Sequence, residues 1–299
     1  MDLSELDMKK EYEKYNKAAP KHRATILGKD FIYRYYKNPR ANATILTLAG
    51  GTGLGDGFFI LANSFMERYS FICFNYPLGF TDNESLSDAI AGLIKHLKAK
   101  DVYLWGQSYG GLIAQITAKR HPEAVTGLIL TSTASLSNNI GFSGMKCLVG
   151  MISEEKEKKN IRTSKMLPMP LLPALMDVAF KRHLKNDPAA LNVVRGMLEH
   201  VRKDMTNEYF AHMDHLLGDL RNHIGTHKKE DLAYLDGKVL IIEPDDDNTF
   251  TPDIKDALIE IMPSPTVVRD ISGGHLAMLF DTEKYIGIIN DFMDAQCLD

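Results

Sequence analysis

Residues 104–111 read Leu-Trp-Gly-Gln-Ser-Tyr-Gly-Gly, with Ser108 between two glycines, directly after the apolar run Asp101-Val-Tyr-Leu-Trp105 and directly before a helical pattern. A serine hydroxyl is a weak nucleophile unless a neighbouring base takes its proton. The G-x-S-x-G spacing matters because of where it falls. A sharp strand-to-helix turn holds the serine in a strained backbone conformation, and glycines two residues to either side leave room for strand and helix to cross. Such a turn lifts the hydroxyl of Ser108 above the sheet edge, with a helix N-terminus beneath it that favours negative charge.

The flanking sequence supplies the rest of a sheet. Between residues 24 and 134, short apolar or β-rich runs alternate with helical patterns: Ala24–Gly28, Phe31–Tyr36, Ala43–Ala49, Ser70–Tyr76, Asp101–Trp105 and Thr126–Thr131. The later runs are nearly continuous rather than alternating, as in strands buried on both faces of a parallel sheet. Ser85 is the expected N-cap of a helix to Leu97, with a one-sided stripe of Leu86, Ile90, Leu93, Ile94 and Leu97. A second helix is expected from about Ser108 to Lys119, ending before His121-Pro122. Two late strands, Lys238–Glu243 and Thr266–Ile271, resume the α/β alternation. Residues 135–231 read differently, as charged helical patterns with a Pro-rich joint at Leu167–Pro173. This predicts a helical insertion between two parts of one core, 1–134 and 232–299.

The 299 residues, 44% of them hydrophobic, can fill one large α/β core. A net charge of -4 provides no broad basic field for nucleic acid or an anionic membrane, so a small or neutral partner is expected. Cys73, Cys147 and Cys297 are widely spaced and include no C-x-x-C, which reads as free thiols rather than a disulfide framework or zinc knuckle. The N-terminal stretch is charged where a secretory signal needs an apolar core, and no run approaches 18 apolar residues, so the expected setting is cytoplasmic. The run Glu154–Lys159 reads as a solvated helix face.

Two acidic and basic elements complete the serine. After Lys238–Glu243 comes Pro244-Asp245-Asp246-Asp247-Asn248-Thr249-Phe250, and after Thr266–Ile271 comes Ser272-Gly273-Gly274-His275. With Ser108, this order resembles the α/β-hydrolase fold superfamily, specifically the cap-bearing serine hydrolases, in which the chain order is nucleophile, acid, histidine. The resemblance covers nearly the whole chain except the cap. It implies a mostly parallel eight-stranded sheet flanked by helices, with a helical cap inserted over 135–231. It also implies the roles: His275 accepts the proton of Ser108 and returns it to the leaving group, while a carboxylate holds the imidazole. Position after the strand and the D-x-x-F pattern favour Asp247 as that carboxylate. Asp246 is the runner-up, and Asp245 is a solvated loop residue. Three adjacent acids repel, so one should be desolvated against His275 and two should face water.

The oxyanion formed in such chemistry needs donors. The resemblance places one at the backbone N–H of Tyr109 and the other on the loop Ala49-Gly50-Gly51-Thr52-Gly53, at Gly51 with Thr52 as its neighbouring candidate. Ala49-Gly50 stands where the family often has His-Gly. Asn75–Gly79 and the Gly-rich loop also loosely resemble the maspardin branch of the fold, some members of which serve protein contacts. The loop fits neither the P-loop nor the dinucleotide pattern.

These features lead to a serine carboxylesterase acting on small to medium apolar esters through an acyl-enzyme, with no cofactor and no metal. Alternatives on the same three residues are an iminopeptidase-like enzyme, an acyltransferase or a carbon-carbon bond hydrolase, and outside enzymes a binding or scaffold protein that retains the fold. A dehalogenase would need an aspartate at position 108. Eight of the fourteen methionines fall in the insertion: Met145, Met151, Met166, Met169, Met176, Met197, Met205 and Met213. They suit a lid over an apolar pocket or ordinary filler between helices. His212, His215, His223 and His227 are expected to be solvated, since Gly225 weakens the helix that an i, i+4 metal pair would need. Trp105 reads as core packing.

Overall fold

The computed structural model describes residues 4–166 and 187–296, with Asp177, Val178 and Lys181 between them. Its centre is one eight-stranded sheet: β1 Lys21–Ile26, β2 Lys29–Tyr36, β3 Thr44–Leu48, β4 Ser70–Cys73, β5 Val102–Gln107, β6 Gly127–Thr131, β7 Val239–Ile242 and β8 Thr266–Val268. The order is β1-β2-β4-β3-β5-β6-β7-β8. Only β1/β2 and β2/β4 pair antiparallel, and every other pairing is parallel.

The apolar runs account for this arrangement. Side chains alternate across a strand, so a strand buried on both faces must be apolar at every position. Leu46, Leu104, Leu128 and Ile241 belong to one core cluster, whereas their neighbours Ile45, Trp105, Ile129 and Leu240 belong to another. The two clusters are the two faces of the sheet. The outermost strands β1 and β8 are largely exposed, in keeping with their edge positions. Trp105 is fully buried between Phe58 and Phe65 and is a core residue.

Helices α1 Met8–Ala18, α2 Phe59–Phe65, α3 Asn83–Leu97 and α4 Tyr109–Arg120 flank the first strands. Helix α3 starts two residues before the expected Ser85. Its N-cap is Asp82, whose Oδ1 accepts the Ser85 N–H at 2.7 Å, so a carboxylate and not the serine side chain caps the helix. Helix α4 is buried along almost its whole length, from Tyr109 to Ala118, which a helix polar on one side could not be.

Between β6 and β7 the chain carries α5 Phe142–Met151, α6 Glu154–Met166, α7 Pro188–Val201 and α8 Asn207–Asp219. After β7 come α9 Pro252–Ile261, α10 Ala277–Phe280 and α11 Thr282–Gln296. The Pro-rich joint Leu167–Pro173, Met169, Met176 and Cys297 lie outside the described residues. Among those described, no helix is long and apolar enough to cross a membrane. The run Glu154–Lys159 lies on α6, which has no buried residue, although Glu157 is half-buried, ion-paired to Arg221 and hydrogen-bonded to His215.

The expected solvation of the insertion's histidines does not hold. Of the four, His212, His223 and His227 are buried and His215 is exposed. His212 lies on the inward face of α8, and the backbone of His227 pairs with that of Ser137 and donates to the Leu136 carbonyl. Burial lowers the pKa values of His212 and His227 to about 4, so both are neutral inside the protein. No group of three or more candidate metal ligands occurs among the described residues.

Candidate active site

Ser108 stands at the junction of β5 and α4 with φ 53° and ψ -118°, a left-handed backbone that a non-glycine residue adopts only under constraint. The constraint is visible. A side chain at Gly106 would run into the backbone of Gly110, and one at Gly110 into the carbonyl of Leu48. The Ser108 N–H donates to the Thr131 carbonyl at 3.0 Å. Its own carbonyl accepts from Gly111 N–H at 2.9 Å and from the Thr133 hydroxyl at 2.5 Å.

His275 Nε2 is 2.9 Å from Ser108 Oγ, and His275 Nδ1 is 2.9 Å from Asp247 Oδ2. An ionised carboxylate only accepts, so Nδ1 donates to Asp247 and Nε2 is left to accept the serine proton. The Asp247 side chain is fully buried and that of His275 is about a quarter exposed. Burial pushes the Asp247 pKa up, but bonds from His275 and from the Thr249 N–H at 2.8 Å outweigh it and hold the carboxyl below its usual range.

Asp246, the alternative acid, has another role: it bonds to the backbone directly ahead of His275. Its two oxygens accept the N–H groups of Gly273 and Gly274, both at 2.9 Å, and these bonds lower its pKa. Both glycines have positive φ, 122° and 62°, so the turn that presents His275 is clamped to the acidic loop by Asp246. Asp245 and Asp246 are exposed while Asp247 is buried.

Of the expected oxyanion donors, Tyr109 opens α4, where an N–H has no intrahelical acceptor, and Gly51 lies on the loop after β3. Gly51 and Ser108 border the same cavities. The loop is fastened without the histidine common in such loops. Tyr76 Oη donates to the Ala49 carbonyl at 2.7 Å, and Tyr209 Oη, from α8, donates to the Gly53 carbonyl at 2.7 Å while accepting the Tyr76 N–H. The Tyr109 ring is anchored by its hydroxyl, which donates to Asn83 Oδ1 at 2.7 Å.

Sequence reasoning missed Thr133 and Glu243. Glu243, at the end of β7, accepts the Thr133 N–H at 2.9 Å and is buried, and burial pushes its pKa up to about 8. The one sequence signal for it is a carboxyl terminating an otherwise apolar strand. A cavity of about 430 Å³ opens from Ser108 and His275 against Leu54, Phe58 and the α7 residues Val194 and Met197. Met205 borders it as well, and Met151 borders the second cavity of about 230 Å³, whereas Met166 is exposed and Met213 is buried away from both.

Residues 43–143 match the family model described as alpha/beta hydrolase fold. The chain is 25% identical over 121 residues to the uncharacterized hydrolase YugF of Bacillus subtilis (strain 168), a match covering 38% of this chain and 44% of that protein. It superposes with a TM-score of 0.69 on the enol-lactonase from Burkholderia xenovorans LB400, at 18% identity over 91% of this chain and 100% of the other. The thermophilic esterase from Thermogutta terrifontis gives a TM-score of 0.68, at 16% identity over 93% and 99%. At these identities the structural likeness is one of fold, and the sheet order, the strand-to-helix turn and the family match make it the α/β-hydrolase fold.

Proposed function

Proceeding from that fold, we propose that the protein is a serine hydrolase cleaving carboxylic esters, with Ser108 as nucleophile, His275 as general base and acid, and Asp247 as the carboxylate that orients His275. The observation that carries this reading is the continuous path Asp247–His275–Ser108, 2.9 Å at each step, ending on a serine held at a strained turn. Ser108 Oγ attacks the carbonyl carbon as its proton passes to His275 Nε2. The tetrahedral oxyanion is met by the N–H groups of Tyr109 and Gly51. Nε2 then gives the proton to the leaving oxygen as the ester C–O bond breaks, which leaves an acyl group on Ser108. Water, deprotonated by His275, releases the acid. Asp247 remains ionised and stabilises the imidazolium.

The helices between β6 and β7 act in this reading as a cap whose apolar residues enclose the substrate and exclude water. Esters are favoured over amides because an alcohol leaves with less demand on the general acid. The names of the superposed structures, an esterase and an enol-lactonase, point to the same bond.

The test is the initial rate of p-nitrophenyl ester hydrolysis across acyl lengths, for the parent and Ser108→Ala, together with labelling by a fluorophosphonate probe. A rate that vanishes with Ser108 and labelling lost in His275→Ala are expected. A folded parent that neither reacts nor labels would favour a binding protein instead.

A further inference from the structure

Ser108 and Gly51 lie where two cavities meet, and among the described residues they are the lining that both share. The larger, about 430 Å³, is bordered by His275 and by apolar side chains such as Val194, Met197 and Leu279. The smaller, about 230 Å³, is bordered by Tyr109, Leu112 and Leu217 and by the polar side chains of Lys156, Asn160 and Asp214. Among the described residues, His275 lines the first cavity and not the second. Phe250 lines the second, with its ring edge-on to His275 at 5.7 Å between centroids.

This asymmetry fixes which half of an ester goes where. When the tetrahedral intermediate collapses, the leaving oxygen must take the proton held on His275 Nε2, so the alcohol portion has to lie on the side His275 borders. The acyl chain, bonded to the carbon attached to Ser108 Oγ, must extend to the other side. Resting on the serine-hydrolase reading, we infer that the substrate is a two-armed ester: a bulky apolar alcohol or phenol in the Met197 cavity, and a medium-length acyl chain in the Leu217 cavity whose far end bears a neutral hydrogen-bonding group of the hydroxyl class.

The polar end follows from charge. Lys156 and Asn160 are four residues apart on one side of α6, facing Asp214 of α8. Glu157 beside them is ion-paired with Arg221 at 2.5 Å and hydrogen-bonded to His215 Nδ1 at 3.1 Å, and Asp214 accepts from the Ser164 hydroxyl at 2.8 Å. An anionic acyl end would face two carboxylates, and a cationic one would face Lys156. A hydroxyl can donate to Asp214 and accept from Asn160 or Lys156 at once, joining the bonds that Asp214 already accepts from Ser164 and Asn160 and adding no charge to this mixed-charge lining.

The experiment is a crossed substrate series read as kcat/KM. Alcohol size is varied at fixed hexanoyl chain (methyl, benzyl, naphthylmethyl), and acyl length is varied at fixed p-nitrophenyl, with octanoate paired against ω-hydroxyoctanoate. Met197→Trp should lower the naphthylmethyl ester about tenfold or more against the methyl ester, with the acyl-length optimum unmoved. Leu217→Trp should move that optimum to shorter chains and leave the alcohol ranking unmoved. The parent should prefer ω-hydroxyoctanoate, and Asn160→Leu should lessen that preference. Met197→Phe and Leu217→Phe give the same readout if a tryptophan variant fails to fold. Exchanged patterns, both variants shifting both series, or no preference for the hydroxyl would each overturn the inference while a Ser108-dependent rate left the hydrolase reading standing. A parent that cleaves none of these esters overturns both.

Discussion

The hydroxyl of Thr133 donates to the carbonyl of Ser108 at 2.5 Å, which joins the end of β6 to the residue that the proposed chemistry uses as nucleophile. Thr133 is itself held by Glu243, the carboxyl that accepts its N–H. Thr133→Val keeps the side-chain shape and removes the donor, leaving a buried carbonyl with one bond fewer, a loss of about 1–3 kcal/mol of stability. Because the elbow is what places Oγ, kcat should fall more than KM changes, as steady-state kinetics on one ester would reveal.

Glu243 also sets a pH dependence of stability. Its folded pKa is raised to about 8 by burial, above the unfolded carboxyl value of about 4.3. A group raised in this way binds its proton more tightly in the folded state, so its contribution is complete below the unfolded value and is lost as pH climbs through the folded one. Glu243→Gln removes this titration while keeping an acceptor for the Thr133 N–H. The melting temperature of the variant relative to the parent should therefore rise between pH 5 and pH 9, and a difference that stays constant over that range would rule out a neutral buried carboxyl.

The acidic loop divides two tasks between adjacent residues. Asp247→Asn takes the negative charge from His275 and allows the wrong tautomer, which in a triad reduces kcat by on the order of 10⁴. Asp246→Ala instead frees the N–H groups of Gly273 and Gly274 and leaves the imidazole's partner in place. It should lower kcat far less and loosen the His275 turn, visible as faster amide exchange at Gly273 and Gly274. Equal losses from both substitutions would contradict this division.

The nucleophile turn was readable in the sequence because sterics leave few residues able to occupy it: Gly106 and Gly110 are required by the crossing of β5 and α4, and their spacing survives in one dimension. His275 was readable for a related reason, since two glycines had to precede it to form its turn. Sequence ranked Asp247 above Asp246 by position and the D-x-x-F pattern but could not exclude Asp246, because both lie within reach and only the fold decides which is buried. Thr133 and Tyr209 were invisible, and Glu243 was marked only as a carboxyl closing an apolar strand, for a different reason. Each acts on a residue far away in the chain, and nothing local marks a threonine at a strand end as the support of a serine on the neighbouring strand. The buried histidines between β6 and β7 were misread because Gly225 argues only against a metal pair at His223 and His227 and says nothing of burial, while His212 lies on the inward face of α8.

Tyr209 ties the inserted helices to the loop that carries Gly51. Its hydroxyl both donates to the Gly53 carbonyl and accepts the Tyr76 N–H, and it is buried. Tyr209→Phe deletes one donor and one acceptor together and keeps the ring. The cost should be about 1–3 kcal/mol of stability. In the proposed mechanism it should appear in kcat through a less fixed oxyanion loop, with the acyl-length preference retained. An unchanged kcat in a folded variant would show that the loop is positioned by Tyr76 alone.

Arg34 and Asp56 form a buried ion pair at 2.7 Å, with both side chains almost wholly inaccessible and Lys21 adding a contact to Asp56 at 2.9 Å. Burial opposes ionisation of Asp56, but the hydrogen bonds and charge of Arg34 prevail and its pKa is lowered. A carboxyl depressed in the folded state contributes stability that is present above its unfolded value of about 3.9 and is lost as pH falls through the folded one. Asp56→Ala leaves the Arg34 guanidinium buried without its counter-charge, which should cost about 3–5 kcal/mol. Urea unfolding at pH 7 would measure that loss. Since only the parent has the carboxyl to protonate, the gap between the two proteins should narrow as pH is taken down through the acid range, and a gap independent of pH would mean that the ion pair is not what holds this part of the sheet to its neighbouring loop.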